Sequence, residues 1–297
     1  MKKFIKIFPF FLGAIFFLTL GFWFGDSATT EQEETVETES TTSQIVATEE
    51  PKENEEELEN KLQQKGDQWA KEHPNSLEFR VYDLDTEQTY TYTNDEKDKK
   101  YKTASIVKVA VAMLLLHEKE EDQEELTDEE EDLLSEMILS SDNEAASSLL
   151  DDSLGGYESL QTLFDELDMG GTKVDADNWG NTTTTTKDQM KLLQELYLSS
   201  QYLTEESQDY IIDLMSHIDR EQSWGVYAGS SNVSLKNGWL DDEMNGINEE
   251  WIVSSIGKVT RGDNSYLAVA LSDKNPTIEE GSQIIEDLVR ISSDYLL

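Results

Sequence analysis

The stretch TASIVKVAVAMLLLHE, Thr103 to Glu118, limits the folds open to this chain more than any other. From Ile106 to Leu116 every residue but one is Ile, Val, Ala, Met or Leu. A helix of that composition is apolar around its whole circumference, so it must run through the middle of a domain and be covered on nearly all sides. The exception is Lys108. An ammonium group in such a place is costly unless it is paired or gives up its proton.

Composition narrows the chemistry. A chain of 297 residues has room for one large domain or two small ones, with a core big enough to hold a preorganised site. A net charge of −41 repels phosphate backbones and argues against a nucleic-acid partner. The absence of cysteine removes disulfides, thiolate nucleophiles and Cys-based zinc sites together. His73, His117 and His217 form no H-E-x-x-H pattern, no G-x-S-x-G occurs, and DADNWG fails as a calcium loop because tryptophan takes a ligand position. No metal or other cofactor is therefore expected.

The chain divides into three parts. Residues 1–26 contain an uncharged run, Ile7 to Phe24, preceded by Lys2, Lys3 and Lys6. The run is long enough to span a bilayer as a helix, and the lysines predict the N-terminus inside and the remainder outside. The following GDSATT offers no small-x-small cleavage site, which favours an uncleaved anchor in the cell membrane over a cleaved signal and a secreted product. Residues 27–54 are Ser, Thr and Glu with almost nothing apolar, a flexible acidic stalk. The folded domain is expected over 55–297, with a helical subdomain at about 117–200 and a monomeric state. Within it, LEFRVYDLDTEQTYTYT alternates around a turn and predicts a hairpin, and the strand-like runs VSLKNGWL, EEWIVSSIGKVT and SYLAVALSD precede a last helix from about Thr277. Strands flanking a helical middle, joined by short links, imply an antiparallel sheet.

Three places before Lys108 stands Ser105, which helical spacing puts on the same face. Thr103 is the expected helix cap, so Ser105 lies in a first turn among unpaired N–H groups at the positive end of the helix dipole. A lysine removed from water loses preference for its charged form and can accept a proton, which activates a neighbouring hydroxyl without any histidine. The bland alternative is a lysine that snorkels to the surface beside a helix-start serine.

Two further motifs favour chemistry. MILSSDNEAASSLL places Ser141, Asp142 and Asn143 between apolar segments, and VSLKNGWL places Lys236, Asn237 and Gly238 on a strand. The order S-x-x-K, S-D-N, K-[T/S/N]-G resembles the class A β-lactamases and penicillin-binding serine hydrolases. The resemblance runs from about residue 55 to the C-terminus. It implies an α/β fold of the α+β type: a five-stranded antiparallel sheet flanked by helices, an all-α subdomain, and a cleft between them. It implies that Ser105 is the acyl-accepting nucleophile, Lys108 the proton acceptor and Ser141 the hydroxyl that protonates the departing nitrogen. By the same resemblance Lys236 supports that network electrostatically, and Asn143 orients the substrate amide. Asn237 stands where the family has Thr or Ser, which puts one contact to the substrate carboxylate in doubt. Gly238 lets the strand approach the substrate, and the N–H groups of Ser105 and Trp239 form the oxyanion hole.

One departure qualifies the activity. The resemblance implies a later loop with Trp-Glu, whose glutamate activates the deacylating water; here Trp179 is followed by Gly180 and a run of threonines. Glu166 belongs to the preceding helix, and Asp175 and Asp177 are the remaining carboxylates. Arg220 and Arg261, two of only four arginines, are candidates for holding a substrate carboxylate, although Arg220 is also placed for an ion pair with Asp219 or Glu221. Arg261-Gly262-Asp263 reads as a turn rather than an adhesion motif. Two functions follow as expectations: a serine hydrolase acting on β-lactams or on cell-wall peptides, or a sensor that is acylated and stays so.

Overall fold

The computed structural model describes residues 50–96, 99–241 and 250–297. The expected anchor and nearly all of the stalk lie outside these residues. Among those described, no helix is long and apolar enough to cross a membrane. Thr48–Leu297 forms one compact unit.

The expected sheet is present, with five antiparallel strands in the order β2-β1-β7-β6-β5. These are β1 (Ser76–Asp83), β2 (Thr89–Thr93), β5 (Asn232–Asp241), β6 (Trp251–Arg261) and β7 (Asn264–Asn275). A separate two-stranded ribbon pairs β3 (Tyr101–Lys102) with β4 (Thr183–Thr184). The DTEQ turn joins β1 and β2 as expected, and Gly262-Asp263 turns β6 into β7, with Arg261 opposite Asn264.

Alternation along the strands sends two sets of side chains to two cores. Tyr266, Ala268 and Ala270 of β7 face α1 (Glu50–Ala70) and α8 (Ile278–Leu296), whose Leu58, Leu62, Ile284, Ile285, Leu288 and Val289 are buried there. Leu267, Val269 and Leu271 face the opposite way, into the core that also holds α2 (Val107–Asp122) and α6 (Thr186–Tyr197), of which α6 lies directly on β7. Each fully buried Leu, Ile or Val contributes about 1.5–3 kcal/mol over exposure. Every α2 residue from Val107 to Leu116 is buried, as an all-round apolar helix requires.

The helical layer around α2 contains α3 (Asp128–Leu139), α4 (Asn143–Ser148), α5 (Leu160–Glu166), α6 (Thr186–Tyr197) and α7 (Glu205–Ser216). It therefore runs past the expected limit near residue 200, because the short polar break 198–204 is followed by a new helix capped by Thr204, which accepts the N–H of Ser207. Thr127 and Glu130 form a reciprocal capping box at the start of α3.

The sheet is tightest where β6 passes β5. A Cβ on Gly257 would lie 2.2 Å from the Ser234 carbonyl oxygen and 2.7 Å from Leu235 Cα, both backbone atoms that cannot swing aside. Gly257→Ala is expected to cost about 3 kcal/mol, an overpacking penalty, and to lower Tm by roughly 6–12 °C. Thermal unfolding followed by far-ultraviolet circular dichroism checks this; an unchanged Tm would show that the two strands are not in such close contact.

Candidate active site

Period-2 alternation on β5 turns Leu235 toward α8 and therefore Ser234, Lys236 and Gly238 toward α2. Lys108 and Lys236 are both fully buried, and both approach Ser141. Lys108 Nζ donates to the Ser141 carbonyl at 2.6 Å and to Asn143 Oδ1 at 2.7 Å, and lies 3.3 Å from Ser141 Oγ. Lys236 Nζ donates to Ser141 Oγ at 2.8 Å. Neither lysine has a carboxylate in ion-pair reach among the described residues.

Burial drives both amines toward neutrality. Lys108 is lowered to about 7 by loss of hydration, against a smaller opposing pull from the Asp142 carboxylate. Lys236 is lowered well below its ordinary range, again by burial first and then by the charge of Lys108. In a neutral Lys108 the two N–H bonds are accounted for by the Ser141 carbonyl and Asn143 Oδ1. Its lone pair is then left for a further contact, and Ser141 Oγ stands 3.3 Å away. The snorkelling alternative does not hold for a side chain with no exposed surface.

The local backbone is built for these positions. Asp142, not Asn143, caps α4, accepting the Ala145 N–H at 2.7 Å, which leaves the Asn143 amide to serve Lys108 and the cleft. Ala104, just before Ser105, and Ser141 itself adopt φ of 44° and 63°, a strained left-handed backbone of the kind that collects at functional sites. Gly238 has no room for a side chain: a Cβ would fall 2.9 Å from Ser105 N, Ile106 N and the Thr103 carbonyl. The strand thus runs directly against the Ser105 turn and carries Trp239 beside it.

The structure corrects several sequence expectations. Thr103 is not a side-chain cap; its N–H donates to the Thr182 carbonyl at 2.7 Å and its hydroxyl is buried without a partner. Ser105 sits in a 3-10 turn, Ala104–Ile106, that precedes α2, because β3 delivers the chain to the helix already in contact with β4. Ser105 Oγ makes no hydrogen bond to Lys108 among the described residues. The Asn237 side chain is turned away from the cleft: it donates to the Gln222 and Trp224 carbonyls at 2.7 and 3.2 Å and accepts from Ser255 Oγ at 2.6 Å. It pins the 222–226 segment and has no group left for a substrate. Arg261 donates to the Gly229 carbonyl at 3.1 Å, away from the cleft. Exposed Arg220 makes no ion pair with Asp219 or Glu221 among the described residues.

A cleft of about 350 Å³ opens over Ser105, lined also by Asn143, Ser147, Tyr157, Trp179 and Trp239. Sequence reasoning missed Ser147 and Tyr157 and treated Trp179 only as a loop landmark. Trp179 is in fact buried, with Lys108 Nζ 5.1 Å from its ring centroid and its indole N–H on Ser147 Oγ at 3.1 Å. Its position over a lysine far away in the chain has no local sequence signal. Among the described lining residues Asp177 alone carries a carboxylate, and it is exposed. Asp175 is occupied in a turn, accepting the N–H groups of Asp177 and Asn178 at 3.0 and 2.9 Å.

The sequence model of the beta-lactamase enzyme family matches residues 129–296. The chain belongs to this family. The match starts beyond Ser105 and Lys108, so the first motif is carried by the structure's geometry rather than by the match. Among solved structures, PBP-A is similar at 20% identity and a TM-score of 0.65, covering 80% of this chain and 95% of its own. A variant of PBP-A captured as an acyl-enzyme with penicillin G aligns at 19% identity and a TM-score of 0.66, covering 80% of this chain and 96% of its own. An ancestral class A β-lactamase aligns at 17% identity and a TM-score of 0.65, covering 78% of this chain and 99% of its own. No curated protein sequence matches. These likenesses show the β-lactamase/transpeptidase-like fold.

Burying Lys108 in this way makes stability depend on pH. With a folded-state pKa of about 7 against an ordinary value of 10.5, the unfolded chain binds the extra proton between those limits, so stability rises with pH across that window. The unfolding free energy of the wild type, minus that of Lys108→Met, should increase by a few kcal/mol from pH 7 to pH 10, at a slope of at most about 1.4 kcal/mol per pH unit for a single proton. Urea unfolding at stepped pH measures it; a flat difference would mean that Lys108 keeps an ordinary lysine pKa.

Proposed function

We propose that the protein is a serine hydrolase that forms an acyl-enzyme at Ser105 with β-lactams or with cell-wall peptides ending in a free carboxylate, and that it deacylates slowly. One observation carries this reading: two buried amines without a counter-ion among the described residues converge on the Ser141 hydroxyl beside the Ser105 turn. As Ser105 Oγ attacks the amide carbonyl, its proton passes to Lys108 Nζ and the O–C bond forms. The C–N bond then breaks, with the departing nitrogen taking a proton from Ser141 Oγ, which is replenished from Lys108. Lys236 keeps the Ser141 hydroxyl oriented through the hydrogen bond it donates to Oγ. The Asn143 amide nitrogen, left free by the contact of its oxygen to Lys108, is placed to hold the substrate amide. The N–H groups of Ser105 and Trp239 stabilise the oxyanion, since Gly238 brings the two segments together.

Slow deacylation is supported by the cleft. An activating carboxylate must be held within hydrogen-bond reach of the attacking water, and the exposed Asp177 makes no side-chain hydrogen bond among the described residues that would hold it. A sensor that remains acylated is therefore the second reading. Export is supported by the apolar Ile7–Phe24 run behind three lysines, which points to an anchor with the domain outside the cytoplasm.

Full-length protein mixed with a penicillin should gain one penicillin mass, mapped to Ser105 and absent in Ser105→Ala. Lys108→Met should acylate about a hundredfold more slowly or worse, without loss of folding. Stopped-flow substrate loss beside time-resolved intact mass reads both, and label at another residue would remove the assignment. Gly180→Glu should leave deacylation slow, because it supplies the group without its position: a Cβ there already lies 3.3 Å from Asn178 Oδ1. Fast wild-type turnover without accumulated acyl-enzyme would instead make this a working β-lactamase with another water-activating residue.

A further inference from the structure

Accepting the Ser105 proton creates an ammonium in a place that disfavours it. Lys108 Nζ is fully buried, Lys236 lies across Ser141 Oγ from it, and no carboxylate pairs with it among the described residues. The charged groups facing it are Asp142, from the turn between α3 and α4, and Lys236, from β5. Asp142 is exposed, and its Oδ1 is already taken by the Ala145 N–H. Beyond the Ser141 carbonyl and Asn143 Oδ1, which accept hydrogen bonds from it, a further described neighbour with an electrostatic face is Trp179, from the 173–183 loop. Its ring centroid is 5.1 Å from Nζ, inside the range in which an aromatic face attracts a cation. The ring is only 9% exposed, so water screens the contact little. The indole N–H on Ser147 Oγ, at 3.1 Å, fixes which way the ring faces.

We propose that the Trp179 indole face adds to the two hydrogen-bond acceptors of the Lys108 ammonium, stabilising the proton received from Ser105 where no carboxylate pairs with it among the described residues. This rests on Lys108 being the base. In the step concerned the Ser105 O–H bond breaks, the proton joins the Nζ lone pair, and the oxygen pair forms the bond to the substrate carbonyl carbon. Trp179 does not touch the reacting atoms; it is a positioning residue that sets the basicity of the amine. The sign follows: weakening the ring's negative face destabilises the ammonium and lowers the Lys108 pKa. The acid limb of acylation then moves to lower pH.

The test uses full-length protein with ε-13C-lysine, titrated by NMR, the Lys108 resonance being identified by its loss in Lys108→Met. Position 179 carries Trp, 5,7-difluorotryptophan, Phe or Leu. The fluorinated ring nearly keeps the native shape while weakening the negative face, so it decides the question even if Trp179→Leu fails to fold. The expected result is a pKa that falls on fluorination and drops by about one pH unit in Trp179→Leu, the size of a desolvated contact of this kind, with Phe between Trp and Leu. The acid limb of penicillin acylation should move by the same amount. An unchanged pKa and acid limb on fluorination, with acylation still dependent on Lys108, would overturn this proposal alone. Normal acylation by Lys108→Met would overturn the base assignment and this proposal with it.

Discussion

Two lysine amines held against one serine hydroxyl, with no carboxylate pairing with either among the described residues, set the terms for the rest of this molecule. Each amine is costly to bury in its charged form, and the cost is limited by the shift of both toward the neutral amine and by their hydrogen bonds to the Ser141 carbonyl, Asn143 Oδ1 and Ser141 Oγ. The hydrogen bonds from Lys108 to the Ser141 carbonyl and Asn143 Oδ1 require the strained backbone at Ser141. The approach of β5 to the Ser105 turn requires a glycine at 238. These local penalties are tolerated only because the surrounding cores, above and below the sheet, over-determine the backbone.

The interior and the exterior of the domain differ in kind. The chain as a whole carries −41, yet two fully buried amines with no counter-ion among the described residues meet at the Ser141 hydroxyl. At physiological ionic strength exposed charges act over roughly 8–10 Å, so the acidic exterior slows the approach of an anion, while the buried amines are governed by their own desolvation.

Making an acyl-enzyme and breaking it place different demands on the fold. The first needs a poised amine and close backbone N–H groups, which α2, β5 and the Ser141 turn supply from rigid elements. The second needs a carboxylate fixed against a water. In the loop that borders the cleft, Asp175 is committed to its own turn and Trp179 occupies the space beside Lys108. The loop's contacts go to Lys108 and to its own turn.

By itself the sequence determined the helix that must be buried, the single charge within it, the five strands and the order of the three motifs. Each is a local pattern: apolar circumference, period-2 alternation, fixed spacing. The helix α7 escaped because its polar lead-in hid a new cap at Thr204. Tertiary structure alone decided which lysines converge on Ser141, since β5 meets the Ser105 turn that leads into α2 only after the last three strands pair back onto β1. It also decided that Asn237 faces a loop instead of the cleft, because strand alternation places it on the Leu235 side. The ring over Lys108 belongs with these. A contact between residues 108 and 179 depends on how a loop folds across a helix, and no residue spacing encodes that.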